Sequence, residues 1–190
     1  MKFFFDTETT GIPRDYKAPV SDLDNWPRMV QIAWILLDAT ANEVESAEYI
    51  VKPDGFTIPP DAAKIHGITT EIALREGTDL QPVLEKVGVA LREATTLVAH
   101  NLSFDERILG AEFLRAGRSN PLELKRRICT MQEATDFCRL PGRYGYKWPT
   151  LQELHQILFN EPMEGVHRAL TDVRACARCY AELARKGVLA

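Results

Sequence analysis

Short apolar runs and longer amphipathic segments alternate along this chain and predict an α/β fold. Five runs have the length and the strand-favouring residues of buried strands: residues 3–5, 30–37, 45–52, 96–99 and 128–130. A short polar stretch joins the second run to the third, which predicts a hairpin beside the first strand. Helical spacing predicts helices at residues 61–65, 79–93, 103–113, 151–158 and 168–186, with a further helix ending near residue 138.

Local signals predict where several of these elements begin and end. The first strand is expected to end near Asp6, and Gly67 to close the helical turn at residues 61–65. Ser103, with Glu106 three residues later, has the form of a capping box at the start of the helix after the fourth strand. Residues 13–27 are rich in Pro, Asp and Asn without periodicity, and residues 139–148 contain Gly and Pro, so both stretches predict loops.

Two carboxylates, Asp6 and Glu8, follow the first apolar run. Side chains two residues apart on a strand point to the same face, so these acids form a pair. Adjacent carboxylates repel each other unless they share a proton or a cation, and at neutral pH a divalent metal ion is the commoner partner. The end of the first strand is therefore a candidate metal site.

Two further acids, Asp105 and Asp172, stand near the starts of predicted helices. Neither falls on the apolar stripe expected for its helix, and for either one alone the helix dipole is a sufficient explanation. His167 precedes Asp172 by five residues, an offset that would put the two on different faces of a helix. The histidine is therefore expected on the loop before the helix, where its imidazole can accept a proton near neutral pH.

Composition places the chain among ordinary globular proteins. It has 190 residues, of which 45% are hydrophobic and 26% charged, with a net charge of −4. No apolar run is long enough to cross a bilayer and the first residues do not resemble a signal peptide, so a cytoplasmic protein without membrane contact is expected. The four cysteines are expected to be reduced, and Cys176 and Cys179 to be buried residues rather than a zinc or redox site.

Positive charge is concentrated in one segment of this acidic chain. Residues 113–147 contain eight Lys or Arg and three Asp or Glu. Such a region can bind a phosphate backbone, and a solvated charged face is the alternative. At its end, aromatic and basic side chains alternate in a way that suits stacking on the bases of a single strand, although the aromatics can equally pack beneath the loop. These residues are Arg139, Arg143, Tyr144, Tyr146, Lys147 and Trp148.

Four segments together resemble the motifs of a known family. Asp-x-Glu-Thr-Thr-Gly at residues 6–11, His-Asn-x-x-Phe-Asp at 100–105 and His-x-Ala-Leu-x-Asp at 167–172 resemble the three motifs of DnaQ-like 3′-to-5′ exonucleases of the DEDDh type. Ile-His-Gly-Ile-Thr at residues 65–69 is similar to a further segment common in that family. Each motif is weak alone, whereas the ordered set, which spans most of the chain, is specific.

The resemblance implies a ribonuclease H-like fold, with a mixed central sheet flanked by helices in a single exonuclease domain over residues 1–190. It implies two divalent ions, Mg²⁺ or Mn²⁺, held by four acids, with His167 as the general base for the attacking water. By family analogy Asp6, Glu8 and Asp172 are direct ligands, and Asp105 acts on the second ion. Carboxylate oxygens suit these ions better than zinc. The implied reaction is hydrolysis at the 3′ end of single-stranded DNA or RNA, with release of nucleoside 5′-monophosphates.

The resemblance also suggests residues that contact the substrate. Backbone amides near Thr9 and Thr10 are expected to receive the terminal nucleotide. Asn101 and Phe104 are candidates for lining its pocket, although Phe104 also suits the core. His66 resembles a family residue near the substrate, and it also suits a helix end, where a histidine interacts with the dipole.

Two other classes of function remain open from the sequence. The chain can be a non-catalytic nucleic-acid-binding or polymerase-associated module of the same fold, although such a role gives no reason for so many carboxylates near phosphates. It can also be a small-molecule phosphohydrolase with the same metal site. Proteins resembling this chain include polymerase subunits and free-standing dimers, so polymerase association and a homodimer are the candidate assemblies.

Overall fold

The computed structural model describes residues 1–163 and 168–189, in which a mixed five-stranded sheet is flanked by helices. The strands of the sheet are Lys2–Thr9 (β1), Met29–Leu37 (β2), Glu43–Ile50 (β3), Thr96–Ala99 (β4) and Arg126–Cys129 (β5), and a separate hairpin pairs Pro141–Gly142 (β6) with Gly145–Tyr146 (β7). The helices are Pro60–His66 (α1), Thr70–Glu76 (α2), Leu80–Glu93 (α3), Leu102–Arg115 (α4), Thr130–Glu133 (α5), Thr135–Cys138 (α6), Leu151–Phe159 (α7) and Ala169–Arg185 (α8). None of the helices in these described ranges is long and apolar enough to cross a membrane.

The first strand of the chain is the central strand of the sheet. The spatial order is β3-β2-β1-β4-β5. β2 runs antiparallel to both β1 and β3, whereas β4 runs parallel to β1 and β5. This is the ribonuclease H-like arrangement predicted from the sequence, and the hairpin predicted beside the first strand is confirmed.

Alternation along β1 divides its side chains between two cores. Phe5 joins the larger core, which includes residues of α3 and α4, while Phe4 packs in a second core with residues of α8. Both rings are almost completely buried, which contributes roughly 1.5–3 kcal/mol each. Because the alternation continues along the strand, Asp6 and Glu8 share the α8 face with Phe4, and Thr7 shares the α4 face with Phe5.

The prediction that the first strand ends near Asp6 is wrong, because β1 continues to Thr9. Pairing with β2 extends as far as a register shift between Glu8 and Thr9. The hydrogen bonds of this antiparallel partner hold the strand extended through residues whose own side chains are polar. The two carboxylates therefore project from a paired strand and not from a loose end.

The capping box predicted from Ser103 and Glu106 is also wrong. α4 begins earlier, at Leu102, and its N-cap residue, Asn101, has left-handed backbone angles and makes no side-chain capping bond. Glu106 instead accepts hydrogen bonds from the guanidinium of Arg127, with 2.9 Å from Nε to Oε1. A long-range ion pair has taken the place of the local bond.

Glu112 on α4 is fully buried and joins this helix to the start of β2. Its Oε1 accepts from Nε of Arg28 at 2.9 Å, from the backbone N–H of Met29 at 3.0 Å and from Nη1 of Arg115 at 2.8 Å. These charge-assisted bonds compensate a carboxylate that burial alone would strongly disfavour. They also fix α4, which carries Asp105, against the strand next to β1.

Candidate active site

Asp6 and Glu8 on β1 and Asp172 on α8 bring their carboxylates together at one end of the sheet. One oxygen from each of the three lies within 4.8 Å of the others. β1 supplies two of them by its alternation, and the first turn of α8, which packs on the same face, supplies the third. Three acids this close form a site that a divalent cation can bridge.

Asp105 approaches the same end of the sheet from the opposite face. It lies in the first turn of α4, and its Oδ1 accepts from the backbone N–H of Thr7 at 3.0 Å and from the Thr7 hydroxyl at 2.7 Å. Thr7 stands between Asp6 and Glu8 in the chain, so a single strand orders three of the four predicted acids.

Asp105 and Asp172 are both buried, with 3% and 9% of their surface exposed. This corrects the expectation that they lie off the buried sides of their helices. Each sits where the first turn of a helix packs against the end of β1, and there the buried surface is polar instead of apolar. An apolar stripe drawn from spacing does not include such positions.

Burial raises the pKa values of Asp6, Glu8 and Asp105, and neighbouring carboxylates raise those of Asp6 and Glu8 further. Burial raises the pKa of Asp6 well above its usual value, and the neighbouring Asp105 and Glu8 raise it further. Burial, followed by the charges of Asp172 and Asp105, raises the pKa of Glu8 to about 8. Burial raises the pKa of Asp105 to about 7 despite the Thr7 hydrogen bonds, which lower it. A cation among these groups would offset the repulsion and favour their ionised forms.

The N-terminus of α8 is fixed by a glutamate on β3, the outer strand of the β2–β3 hairpin. Oε1 of Glu48, on β3, accepts from the backbone N–H of Leu170 at 3.1 Å. The first turn of a helix has unpaired N–H groups and a positive dipole end, so a carboxylate there is favourable. The bond holds the turn that presents Asp172.

His100, the residue after β4, links separate segments of the chain at the same end of the sheet. Its Nδ1 lies 3.0 Å from Oγ1 of Thr130 and its Nε2 lies 2.9 Å from the carbonyl oxygen of Pro149. Burial lowers the pKa of His100 to about 4, and the bond to Pro149 only partly opposes this. The ring is therefore neutral near pH 7 and joins the start of the 100–105 motif to the segment that follows the β6–β7 hairpin.

A cavity of about 510 Å³ lies between the β2–β3 hairpin, the end of α1 and the start of α8. Its lining includes Gln31, His66 and Thr171. Gln31 is paired with Glu8 in the sheet and Thr171 directly precedes Asp172, although the described lining includes none of the four acids. Its size lies in the range of ligand-binding pockets.

His66 is buried at the end of α1 and lines this cavity. Its Nδ1 accepts from the backbone N–H of Ile68 at 3.1 Å, so that nitrogen carries no proton. Stabilisation of the helix end through the dipole would need the doubly protonated ring, in which both nitrogens are donors. In this arrangement Nδ1 is an acceptor, which speaks against the dipole interpretation, and the contact of His66 with substrate stays a prediction.

The backbone N–H and the hydroxyl of Thr10 are already hydrogen-bonded within the fold. Its backbone N–H donates to the carbonyl oxygen of Arg28 at 2.9 Å, and its hydroxyl accepts from the backbone N–H of the same residue at 3.0 Å. The hydroxyl of Thr9 donates to the carbonyl oxygen of Gly11 at 2.7 Å. A nucleotide could accept from the Thr10 N–H only by sharing the bond that this group makes to Arg28. This weakens the expectation that the Thr10 amide receives the terminal nucleotide.

Asn101 and Phe104 lie at the junction of β4 and α4, close to Asp105 in the chain. Asn101 is half-buried, with φ of 73°. Phe104 is partly buried and packs against the larger core. The core interpretation of Phe104 is supported, and its exposed part remains a candidate pocket wall. His167 lies outside the described residues, so its predicted position near the acids stays a prediction.

Half of the basic residues of the segment at 113–147 are paired with acids. Arg115, Arg118, Arg127 and Lys147 each form an ion pair with a glutamate. Half of the segment's eight basic residues are therefore not free to bind phosphate, and a fifth, Lys125, donates to the carbonyl oxygen of Ala94 at 2.7 Å. Within the predicted loop at residues 139–148, Arg139 and Arg143 form no ion pair with any described residue.

The chain belongs to an exonuclease family, because the RNase_T exonuclease profile matches residues 3–180. One relative is the DNA polymerase III subunit epsilon of Treponema pallidum (strain Nichols), 29% identical over 176 residues that cover 93% of this chain and 73% of that protein. Another is the uncharacterized exonuclease CP81 of Escherichia phage 186, 28% identical over 199 residues, which cover 98% of this chain and 89% of that protein.

Solved structures of E. coli exonuclease I share the fold. The complex with a dT13 oligonucleotide matches with a TM-score of 0.74 and 21% identity, over 97% of this chain and 40% of that one. The complex with a 5cy-dT13 oligonucleotide matches with a TM-score of 0.77 and 19% identity. This chain thus spans 40% of exonuclease I. Together with the family membership, the match confirms a DnaQ-like exonuclease of the ribonuclease H-like superfamily and disfavours a non-catalytic module.

Proposed function

We propose that this exonuclease removes nucleoside 5′-monophosphates from the 3′ ends of single-stranded DNA or RNA. The observation that carries the proposal is the grouping of Asp6, Glu8 and Asp172 within 4.8 Å, with Asp105 bound to the strand between them. The 3′-to-5′ direction is supported by the ordered motif set, and the single-stranded substrate by exonuclease I, whose structures hold dT13 and dA16 oligonucleotides.

The donor set fits divalent metal ions. Asp6, Glu8 and Asp172 would hold one or both ions directly, and Asp105 would act on the second. All four donors are carboxylates, the ligand type that Mg²⁺ and Mn²⁺ prefer. The raised pKa values of Asp6, Glu8 and Asp105 reflect burial and, for Asp6 and Glu8, repulsion that a cation would relieve. When bound, the ions would polarise the phosphate and the attacking water and offset charge on the leaving 3′ oxygen.

The residues of the chain would supply orientation and a proton acceptor. Thr7 holds one oxygen of Asp105, and Glu48 holds the turn that presents Asp172. His167 would accept the proton of the attacking water, because a histidine with an ordinary pKa is suited to that transfer near neutral pH. The cavity lined by Gln31 and His66 would receive the terminal nucleoside. Thr9, Thr10, Asn101 and Phe104 would contact it, as the motif resemblance implies.

The setting of the enzyme is proposed on similarity. We propose one exonuclease domain over residues 1–190 in a cytoplasmic protein. The similarity to a polymerase epsilon subunit supports association with a polymerase, and a homodimer is the alternative.

Labelled oligonucleotides test the reaction and its direction together. With Mg²⁺ or Mn²⁺, a 3′-labelled single strand should release labelled mononucleotide at once, while a 5′-labelled strand should give a ladder. The Asp6→Asn variant should release none, and Asp61→Asn, whose side chain is 94% exposed, is the matched control. Release from the 5′ end first, or equal rates for Asp6→Asn and wild type, would disprove the proposal. Faster hydrolysis of a nucleoside triphosphate would favour a small-molecule phosphohydrolase.

A further inference from the structure

The β6–β7 hairpin exposes three aromatic side chains within five residues. Tyr144 is 89% exposed, Tyr146 51% and Trp148 60%. The alternative that these rings pack beneath the loop is therefore wrong. Large aromatics are seldom left in water for structural reasons, and a cluster of them marks an interaction surface.

The charges around these rings favour a polyanion as the partner. Residues 139–149 contain Arg139, Arg143 and Lys147 and no acid. Lys147 pairs with Glu153, whereas among the described residues neither arginine forms an ion pair. The guanidinium of Arg143 lies 5.1 Å from the centre of the Tyr144 ring, so cation and ring form one surface.

The backbone of the hairpin is ordered in advance of any partner. Pro141 pairs with Tyr146 and Gly142 with Gly145, and the N–H of Lys147 donates to the carbonyl oxygen of Leu140 at 2.9 Å. A Cβ at Gly142 would lie 3.0 Å from the Gly145 carbonyl oxygen and 3.0 Å from the Lys147 backbone nitrogen, which is closer than most such contacts, so glycine suits this position. A preformed surface loses little conformational entropy on binding.

The hairpin is attached at the end of the sheet that carries the acids. Its last aromatic, Trp148, directly precedes Pro149, whose carbonyl oxygen bonds to His100. The parallel register that pairs Phe4 with Val98, continued by two residues, places His100 level with Asp6. The hairpin is thus tied through His100 to the end of the sheet at which the acids lie.

We infer that residues 139–149 form a stacking platform for single-stranded nucleic acid, on which nucleotides upstream of the 3′-terminal one rest. The inference builds on the proposed function and adds a second contact region for the same substrate. Rings stack on any base, and the two arginines contact the backbone phosphates, so binding should depend little on sequence and strongly on salt.

Tryptophan fluorescence tests the platform without catalysis. The chain has three tryptophans, and Trp26 and Trp34 are buried, so quenching by stacking reports on Trp148. In EDTA, a single-stranded oligonucleotide should quench the tryptophan fluorescence of the wild-type protein, and Trp148→Phe should abolish this quenching. An acidic peptide should not quench. Absence of quenching by the oligonucleotide, or equal quenching by the peptide, would overturn the inference.

Substrate length gives a second and kinetic test. The double variant Tyr144→Ala and Trp148→Ala should raise KM for a long single strand by ~10-fold or more, since each stacked base contributes to affinity. The same variant should cleave a dinucleotide as wild type does, because that substrate cannot reach the hairpin. Leu124→Ala, which removes a fully exposed apolar side chain elsewhere, is the control. An unchanged KM for the long strand would overturn the platform.

The two proposals fail in different ways. Quenching of Trp148 without any 3′ hydrolysis would reject the proposed function and keep the platform. Hydrolysis with neither quenching nor a length effect would reject the platform and keep the proposed function. Because the three rings are exposed, the variants should unfold at the wild-type temperature, which excludes misfolding as the cause.

Discussion

Thr7 donates both its backbone N–H and its hydroxyl to the same oxygen of Asp105, at 3.0 and 2.7 Å. The bond joins the face of β1 that does not carry Asp6 and Glu8 to a helix on that side of the sheet. β1 thus presents two acids through its own side chains and orients a third through a hydrogen bond. Thr7 is a positioning residue for the proposed reaction, since it acts through Asp105.

Removal of the Thr7 hydroxyl should slow turnover without unfolding the protein. Thr7→Val keeps the branched shape and the N–H bond, but it loses one charge-assisted hydrogen bond, which corresponds to roughly a 10-fold fall in kcat. Since that bond lowers the pKa of Asp105, the pH profile should also move upward. Thr7→Ser should restore both. Thr40→Val, which removes a similar hydroxyl bond to the exposed Asp38, is the control. Equal behaviour of the Val and Ser variants would contradict this role.

The metal-free protein should become less stable as the pH rises. Glu8 and Asp105 have folded-state pKa values of about 8 and about 7, above the values of about 4 expected in the unfolded chain. Between these values the folded state keeps protons that the unfolded state releases. The contribution of these groups to stability is therefore greatest below about pH 4 and is lost as the pH rises through about 7 and 8. Thermal unfolding in EDTA measures this, and Mg²⁺ should restore more stability at pH 8 than at pH 6. A metal-free unfolding temperature that rises over this range would contradict the prediction.

Replacing one of the clustered acids by its amide should lower activity and raise the stability of the metal-free protein. Asp172→Asn should reduce Mg²⁺-dependent cleavage by on the order of 10³-fold, because a metal ion supplies several kcal/mol of transition-state stabilisation. The same change removes repulsion with Glu8, so the metal-free variant should unfold at a higher temperature than wild type. Isothermal titration with Mn²⁺ should show weakened metal binding. A variant that loses activity through loss of stability would speak against a metal site.

Apart from changes to the four proposed metal-binding acids, loss of the buried Glu112 should be among the most damaging to the protein. Glu112→Ala leaves the guanidinium groups of Arg28 and Arg115 without their buried partner, and breaking such a pair costs about 3–5 kcal/mol of unfolding free energy. Glu85→Ala breaks a more exposed pair with Arg118 and should cost about 0–1 kcal/mol. Urea denaturation compares the two. Similar losses in both variants would mean that the Glu112 network does not stabilise the fold.

Replacement of His167 should remove turnover but not binding. His167→Ala should bind Mn²⁺ and a single strand as wild type does, while kcat falls about 10²-fold or more, the usual contribution of a general base. Added imidazole should restore part of the rate, because it can accept the same proton. Unchanged turnover in this variant would exclude His167 from the mechanism.

Local periodicity predicted the parts of the fold and site that depend on nearby residues. The pairing of Asp6 with Glu8 follows from strand alternation alone, and the order of strands and helices follows from apolar spacing. Contacts between distant residues could not be predicted in this way: Thr7 and Asp105 are 98 positions apart, and Arg28 and Glu112 are 84 apart. No local pattern distinguishes Thr7 from any other residue between two acids.

One missed contact did leave a signal in the sequence. Glu112 interrupts the apolar side of its helix between Leu109 and Phe113, and an isolated acid in such a place indicates a buried charge with a partner. The partner itself cannot be identified from spacing, because it comes from another layer of the fold. Elements were thus predictable from the chain, and the hydrogen bonds that join them were not.

The opposite orientation of successive side chains in β1 also predicts how this gene segment tolerates change. A substitution at Thr7 alters one contact and leaves Asp6 and Glu8 on the same face. An in-frame deletion of that single codon would make the two acids neighbours, so they would point to opposite faces. Insertions and deletions of one codon between them should therefore be far more harmful than any point mutation at the same position.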